Sequence, residues 1–178
     1  MQAANPVLAK IITREELTSL RTRHSAKTIV FCGGCFDLFH AGHAVFLSQC
    51  KALGDLLVAG VGRDVTIRRL KGFARPINPE NNRLFVVASV AAVDYALLTD
   101  DSTEHSDIHQ LLRLLRPDVL ALTEQDTTAI AAERDLCTEL GTRMTVLPRI
   151  APDCIQLLST SAILRKIHAE KRGGHHAI

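Results

Sequence analysis

Five short, continuous runs of apolar residues alternate with segments of helical periodicity, and this alternation restricts the possible folds more than any other feature of the chain. Strands buried on both faces of a parallel sheet are typically apolar throughout, because neither face meets water. Helices that connect such strands cross over right-handed and cover both faces of the sheet. The pattern therefore predicts an α/β fold with a doubly wound parallel sheet, whose strands lie at residues 28–32, 56–61, 95–98, 119–122 and 144–147.

One domain accounts for the whole length of 178 residues, because a chain of this size can bury well over half of its unfolded surface in a single core. We expect a helical lead-in at residues 1–25, a single Rossmann-like domain at residues 26–170 and a flexible tail at residues 171–178. No internal repeat or low-complexity segment divides the domain. Ligands of such sheets bind beyond the carboxyl ends of the strands, where the strand order reverses.

Two helix starts carry local signals. Asn78-Pro79-Glu80 predicts a start with Asn78 as the cap, and we expect that helix to reach about Val93. Ser159-Thr160 is expected to cap a final helix from Ser161 to about His168.

Charge and composition exclude several classes of function. The net charge is +2 and the basic residues are dispersed, so we expect no nucleic-acid interface. No apolar run approaches the roughly 20 residues that span a bilayer, so we expect no membrane association. Five cysteines accompany a normal apolar core, and the odd count is typical of reduced thiols. These features predict a soluble, cytoplasmic protein.

The densest cluster of chemically active residues lies between the first predicted strand and the first helix. Gly33 and Gly34 allow the backbone to approach a phosphate closely, and the following helix start offers unpaired N–H groups and the positive end of a dipole. His40 and His43 are three residues apart, so both rings can face one polyphosphate. Gly42 between them leaves that surface open. The cluster predicts a site for a phosphorylated ligand.

Zinc binding is an alternative for the same segment. Cys32-x2-Cys35 and His40-x2-His43 together offer a Cys2His2 set. Structural zinc sites usually place about a dozen or more residues between the ligand pairs, so that two elements wrap the ion. Because this segment has only a short spacer and Cys32 belongs to a strand, we predict no metal site made of protein ligands.

The segment Phe36-Asp37-x2-His40-x-Gly42-His43 resembles the signature of the cytidylyltransferase-like nucleotidyltransferases, whose defining motif is His-x-Gly-His. The similarity spans roughly residues 10–168 and is greatest to the adenylyltransferase domain of bacterial bifunctional heptose enzymes. Further matching segments are Lys10-Ile11-Ile12, Leu53-Gly54-Asp55, Gly62-Arg63-Asp64, Leu70-Lys71-Gly72, Arg75-Pro76-Ile77-Asn78-Pro79, Arg83, Val93-Asp94-Tyr95, Arg116-Pro117-Asp118 and Ser159-Thr160-Ser161.

The resemblance implies a role for each matching residue. His40 and His43 would hold the phosphates of a nucleoside triphosphate (NTP) and stabilise the charged transition state. Lys71 would bridge the α-phosphate and the incoming phosphate as the third catalytic residue. Asp37 would orient the loop or assist Mg²⁺, and Arg83 would support the anionic site. The other residues expected to contact the nucleotide are Gly33, Gly34, Cys35, Phe36, Gly42, Ser159, Thr160 and Ser161.

The resemblance also implies the reaction and its partners. The preferred substrates are ATP and a sugar phosphate such as heptose 1-phosphate, with Mg²⁺ bound mainly through the nucleotide phosphates and pyrophosphate as the product. A homodimer is the habit of the family. One alternative is a CTP-dependent enzyme acting on a polyol phosphate, an alcohol phosphate or a phosphonate. A second alternative is a nucleotide sensor without catalysis.

Two segments depart from the related enzymes and bear on base and acceptor choice. Residues 122–126 read Leu-Thr-Glu-Gln-Asp, where heptose adenylyltransferases usually have a Lys-Gly-Gly-Asp-like turn. Residues 152–156 read Pro-Asp-Cys-Ile-Gln, where the glycerol phosphate and choline phosphate enzymes have Arg-Thr-x-Gly, and Arg149 lies further upstream. The residues that handle phosphate are present.

Overall fold

Five strands alternate with helices in the computed structural model, which describes residues 5–99, 106–124, 127–150, 152–155 and 159–173. After a 3-10 helix at Leu8–Lys10, the elements in chain order are α1 Glu16–Arg23, β1 Ile29–Gly34, α2 Ala41–Lys51, β2 Leu56–Val61, α3 Asp64–Lys71, α4 Glu80–Ala88, β3 Tyr95–Leu98, α5 Ser106–Leu115, β4 Val119–Thr123, α6 Thr127–Leu140, β5 Arg143–Leu147 and α7 Thr160–Gly173. Each predicted strand matches an observed one to within two residues at either end.

The strands form one parallel sheet in the order β3-β2-β1-β4-β5. Alternate residues of β1 face opposite sides, which explains why the whole strand is apolar. Val30 and Cys32 belong to a core that includes residues of α2 and α4. Ile29 and Phe31 belong to a second core that includes residues of α1, α5 and α6. The predicted doubly wound α/β fold is therefore confirmed.

The strand order places a crevice beside β1. From β1 the chain proceeds outward through β2 to β3, and it then returns to the other side of β1 with β4 and continues outward to β5. The connections after β1 and β4 therefore diverge, and this divergence opens the sheet edge to a ligand. Cys32 of β1 pairs with Ala59 on one side and with Ala121 on the other, so the reversal lies at the centre of the sheet.

Three helices differ from the sequence-based expectation. The sequence predicted only a polar segment where α3 forms, and α3 buries only Ile67. Pro79, rather than Asn78, is the N-cap of α4, and the helix ends at Ala88 instead of Val93. The final helix extends to Gly173, while residues 174–178 of the expected tail lie outside the described residues. Within the described part, no helix is both long enough and apolar enough to span a membrane.

Candidate active site

A cavity of about 370 Å³ lies at the carboxyl ends of β1, β4 and β5. It lies at the strand reversal, where the sheet topology predicts a ligand site. The fold brings together residues from the β1–α2 segment, from the end of α3 and from the start of α7. All but one of the residues singled out from the sequence line this cavity, namely Gly33, Gly34, Cys35, Phe36, Asp37, His40, Gly42, His43, Lys71, Ser159, Thr160 and Ser161.

Two stacked histidines, His40 and His43, line the cavity. The ring centroids of His40 and His43 are 3.8 Å apart, with an angle of 19° between the ring planes. Phe36 and Phe39 each pack against the His43 ring at a centroid distance of 5.4 Å. The Nδ1 atoms of both histidines are buried, and neither has a hydrogen-bond partner among the described residues. Because buried polar atoms are normally paired, this arrangement indicates a ligand that supplies the partners.

The pKa of His43 is lowered to about 4, chiefly by burial. Electrostatic interactions with His40, Lys71 and Arg149 lower this pKa further, and the Asp37 carboxylate raises it. Burial and the Arg149 charge also lower the pKa of His40. Both rings are therefore neutral near pH 7, and each can donate one N–H. Bound polyphosphate would add negative charge beside the rings and would raise both pKa values.

We predict that this lowered pKa makes the stability of the ligand-free protein depend on pH. His43 is neutral in the folded chain down to about pH 4, whereas the unfolded chain takes up the proton near the ordinary value of 6.5. The stabilisation is therefore complete above pH 6.5 and is lost as the pH falls towards 4, by roughly 2–3 kcal/mol. Urea unfolding at pH 7 and pH 4 of the wild type and of His43→Asn measures the difference. Equal losses in the two proteins would contradict the assignment.

Asp37 makes contacts within the protein and does not project as a free carboxylate. Its Oδ2 atom lies 2.6 Å from Arg75 Nη2 and 2.8 Å from Arg75 Nε. The backbone N–H groups of Ile77 and Asn78 donate to the same carboxylate at 2.9 and 3.0 Å. Burial by itself raises the pKa of Asp37, but these amides and the guanidinium outweigh it, so the pKa lies below its ordinary value. Asp37 is therefore ionised and fully engaged at neutral pH.

Arg83 is the expected site residue that does not line the cavity. Its side chain is only 1% exposed. The guanidinium donates to the carbonyl oxygens of Cys35 at 2.6 Å and Asn78 at 2.9 Å, and to the Asp64 carboxylate at 2.7 Å. The guanidinium therefore contacts the loop that follows β1, on the side of that loop away from the cavity.

The N-terminus of α7 closes another side of the cavity. Ser159 Oγ accepts a hydrogen bond from the Ala162 N–H at 3.1 Å, which confirms the predicted cap. Thr160 Oγ1 donates to the main-chain carbonyl of Asp37 at 2.8 Å, so this hydroxyl also holds the loop. Helix N-termini favour anions because their first N–H groups are unpaired within the helix. The positive end of α7 therefore contributes to an anion site.

Several residues that line the cavity were not among the expected site residues. Arg149 follows β5, and its backbone N–H donates to Glu124 at 3.3 Å. The Gln49 side chain donates to the carbonyl of Ile150 at 3.2 Å and so ties the same loop to α2. Arg75 lines the cavity beside its partner Asp37. Position just after the carboxyl end of a predicted strand is the signal that could have identified Arg149, while no local pattern marks Gln49.

The thiols of the first loop also bear on the zinc alternative. Cys32 lies wholly buried within the core and does not line the cavity. A hydrogen bond with Cys50 and burial both raise the pKa of the Cys32 thiol. Zinc binds the thiolate, so these surroundings oppose its use as a ligand. The four residues of the proposed Cys2His2 set are therefore divided between the core and the cavity.

Comparison with known proteins relates this geometry to one family. The model of the family described as cytidylyltransferase-like matches residues 31–166. The bifunctional protein HldE of Syntrophotalea carbinolica is 36% identical over 161 residues, which cover 89% of this chain and 31% of that protein. The bifunctional protein HldE of Helicobacter pylori strain G27 is 42% identical over 116 residues, which cover 65% of this chain and 24% of that protein. The chain thus spans less than a third of the length of these curated relatives.

Solved structures show the same fold. The lipopolysaccharide core biosynthesis protein from Thermoplasma volcanium GSS1 has a TM-score of 0.58 and 29% identity, and the match covers 71% of this chain and 99% of that chain. The pantoate-beta-alanine ligase from Francisella tularensis has a TM-score of 0.60 and 17% identity, and the match covers 91% of this chain and 78% of that chain. At 17% identity, the similarity to the pantoate-beta-alanine ligase concerns the fold alone.

Proposed function

This chain belongs to the cytidylyltransferase-like family and is a nucleotidyltransferase, and from that premise we propose that it transfers AMP from ATP to a sugar phosphate such as heptose 1-phosphate. The observation that carries the proposal is the stacked pair of His40 and His43, whose buried Nδ1 atoms have no protein partner among the described residues. The pair lines a cavity that also contains Lys71, Arg75 and Arg149. Such a cationic surface suits two substrates that both carry phosphate.

The choice of acceptor rests on the relatives. The similarity to proteins named HldE, at 36% and 42% identity, supports a sugar phosphate acceptor, in line with the resemblance to the heptose enzymes. The cavity itself is compatible with this choice. Among the described residues that line it, Asp37 is the carboxylate, and Arg75 and two backbone amides already engage that carboxylate. An acceptor without a positive charge therefore fits this lining best.

The residues of the cavity can perform the reaction by positioning and by charge stabilisation. A phosphate oxygen of the acceptor attacks the α-phosphorus of ATP in line, the bond from that phosphorus to the bridging oxygen breaks, and pyrophosphate leaves. The neutral rings of His40 and His43 donate N–H bonds to phosphate oxygens as charge develops. Lys71 brings a point charge to the α-phosphate and the incoming phosphate. The N-terminus of α7, with Ser159 and Thr160, faces the β- and γ-phosphates.

Mg²⁺ fits this site as an ion carried by the nucleotide. Magnesium usually binds one or two carboxylates together with substrate phosphates and keeps several water molecules. Because the Asp37 carboxylate accepts hydrogen bonds from Arg75 and two amides, it is not available as a ligand. We therefore propose that the phosphates hold the ion, which neutralises their charge when it is bound. The protein residues then bind and orient the phosphates.

Two alternatives remain for the experiment to separate, and both keep the same cavity. One is a CTP-dependent enzyme acting on a polyol or alcohol phosphate or a phosphonate. The other is a nucleotide sensor that binds NTP without turnover, motivated by the departure at residues 122–126, of which 125 and 126 lie outside the described residues. By the habit of the family we also propose a homodimer, which light scattering would measure.

The substrate test is pyrophosphate release with Mg²⁺, using ATP, CTP, GTP and UTP against heptose 1-phosphate, glycerol 3-phosphate, choline phosphate and a phosphonate. We expect release only with ATP and the sugar phosphate, and none from the His43→Asn variant, which controls for contaminating enzymes. Release with CTP alone would replace the proposal by the first alternative. Calorimetric NTP binding without release from any pair would favour the sensor.

A further inference from the structure

Asp37 lies between two residues in an unfavourable backbone conformation. Phe36 and Leu38 both have a φ angle of +48°, in the left-handed region that side chains other than glycine rarely adopt. Such a conformation is unfavourable and persists only where the surrounding contacts hold it. The loop from β1 to α2 is therefore held in a shape that it does not favour by itself. Asp37, between these two residues, makes the contacts that can hold the loop in this shape.

The carboxylate of Asp37 holds the segment that follows α3. Arg75, Ile77 and Asn78 all donate to it, and its side chain is only 1% exposed. Lys71 is the last residue of α3 and begins this segment. A second short contact fixes the near end, because the Arg75 N–H donates to the Gly72 carbonyl at 3.0 Å. The position of the Lys71 ammonium in the cavity therefore depends on a carboxylate 34 residues earlier.

The main-chain carbonyl of the same residue holds the start of α7. Thr160 Oγ1 donates to it at 2.8 Å, across 123 positions of sequence. Thr160 is the first residue of α7, and the cap Ser159 precedes it. One residue thus joins the loop of His40, the segment of Lys71 and the N-terminus of α7, and it uses different atoms for the last two.

We infer that Asp37 is a positioning residue that sets the Lys71 segment and the α7 N-terminus in register with the histidine pair, rather than a ligand of the substrate or of Mg²⁺. The inference rests on the proposed function, which assigns Lys71 to the acceptor phosphate and the α7 N-terminus to the leaving pyrophosphate. Because separate atoms make the two connections, separate substitutions release them one at a time.

Asp37→Asn is expected to release the Lys71 segment and leave the carbonyl bond to Thr160 in place. Misplacement of a catalytic group by about 1 Å can cost about 100-fold in rate, so we expect kcat to fall by about that factor and the acceptor KM to rise. The Kd of a non-hydrolysable ATP analogue, measured by calorimetry, should change by less than about threefold. The half-saturating Mg²⁺ concentration should stay the same.

Thr160→Val is expected to weaken nucleotide binding and to leave the acceptor KM unchanged, which is the reverse of the effects of Asp37→Asn. It removes one hydrogen bond while the side chain keeps its shape, so we expect the Kd values of the ATP analogue and of pyrophosphate to rise by about tenfold or less. The acceptor KM should not change. The matched control is Asp118→Asn, because Asp118 also pairs with an arginine, Arg21 at 2.7 Å, and accepts an N–H, from Ile29 at 2.8 Å, but lies at the amino ends of the strands. We expect the control to keep the kinetic constants of the wild type.

Limited trypsin digestion gives a readout that does not require turnover. Asp37→Asn should speed cleavage after Lys71 relative to the wild type and to Asp118→Asn, because its segment is released in the folded protein. If wild type has no transferase activity, faster cleavage at Lys71 and weaker nucleotide binding by Thr160→Val would still support the positioning role, and only the proposed function would fail.

Three results would overturn the inference. A raised Mg²⁺ requirement in Asp37→Asn would make Asp37 a metal ligand. Loss of nucleotide binding and of turnover in proportion to a lowered melting temperature would reduce its role to stability. Unchanged kinetics with unchanged cleavage at Lys71 would show that the carboxylate positions nothing.

Discussion

Replacing His43 by alanine should lower kcat by about 10²–10³-fold, because it removes a preorganised donor from the place where charge develops in the transition state. The ring is one of a stacked pair at 3.8 Å, and burial and nearby positive charges keep it neutral. Alanine also keeps the helical backbone of α2, so the loss should concern the chemical step rather than the fold. The measurement is steady-state pyrophosphate release with saturating substrates, together with thermal unfolding of the variant.

His24→Ala is the matched control for this prediction. His24 is the C-cap of α1, and its ring contacts the Tyr95 hydroxyl at 3.3 Å outside the cavity. We expect this variant to keep the kcat of the wild type. A His43→Ala enzyme with a rate within about threefold of the wild type, at a normal melting temperature, would remove His43 from the mechanism.

Replacing Arg83 by methionine should lower the free energy of unfolding by about 3–5 kcal/mol, because the change removes one partner of a buried ion pair. The methionine fills much of the same volume but leaves Asp64 without this cation and leaves the carbonyls of Cys35 and Asn78 without this donor. Urea unfolding measures the change. The loss should exceed that of most single substitutions.

Arg113→Met provides the comparison at the surface. Arg113 pairs with Glu139, and both side chains are more than half exposed, so the same substitution there should cost less than about 1 kcal/mol. Similar losses at the two sites would contradict the structural role of Arg83. Weaker nucleotide binding by Arg83→Met without a loss of stability would instead restore the sequence-based expectation that Arg83 serves the anionic site.

The sheet could be predicted from the sequence because its signal is local. A strand such as β1 is apolar at every position, since its two faces belong to two cores. Helix α3 was missed for the corresponding reason. It carries Arg68, Arg69 and Lys71 in its last turn and buries only Ile67, so its sequence resembles that of a polar loop.

The sequence indicated which residues line the site better than it indicated what each residue does there. The glycines and histidines of the first loop lie close together in sequence, and they line one cavity. The roles of Asp37 and Arg83 depend on partners that lie far away along the chain. Asp37 meets residues about 40 positions later, and Arg83 meets Cys35, 48 positions earlier. No local pattern distinguishes a buried arginine that supports a loop from an exposed one that binds phosphate.

The hydrogen bond between Thr160 and Asp37 has a consequence for the protein during its synthesis. All five strands precede Thr160, since β5 ends at Leu147. Domains begin to fold while the ribosome extends them. A growing chain can therefore assemble its sheet and both cores while the cavity still lacks the wall that α7 supplies. We expect that a nascent chain binds nucleotide only after α7 has emerged from the ribosome.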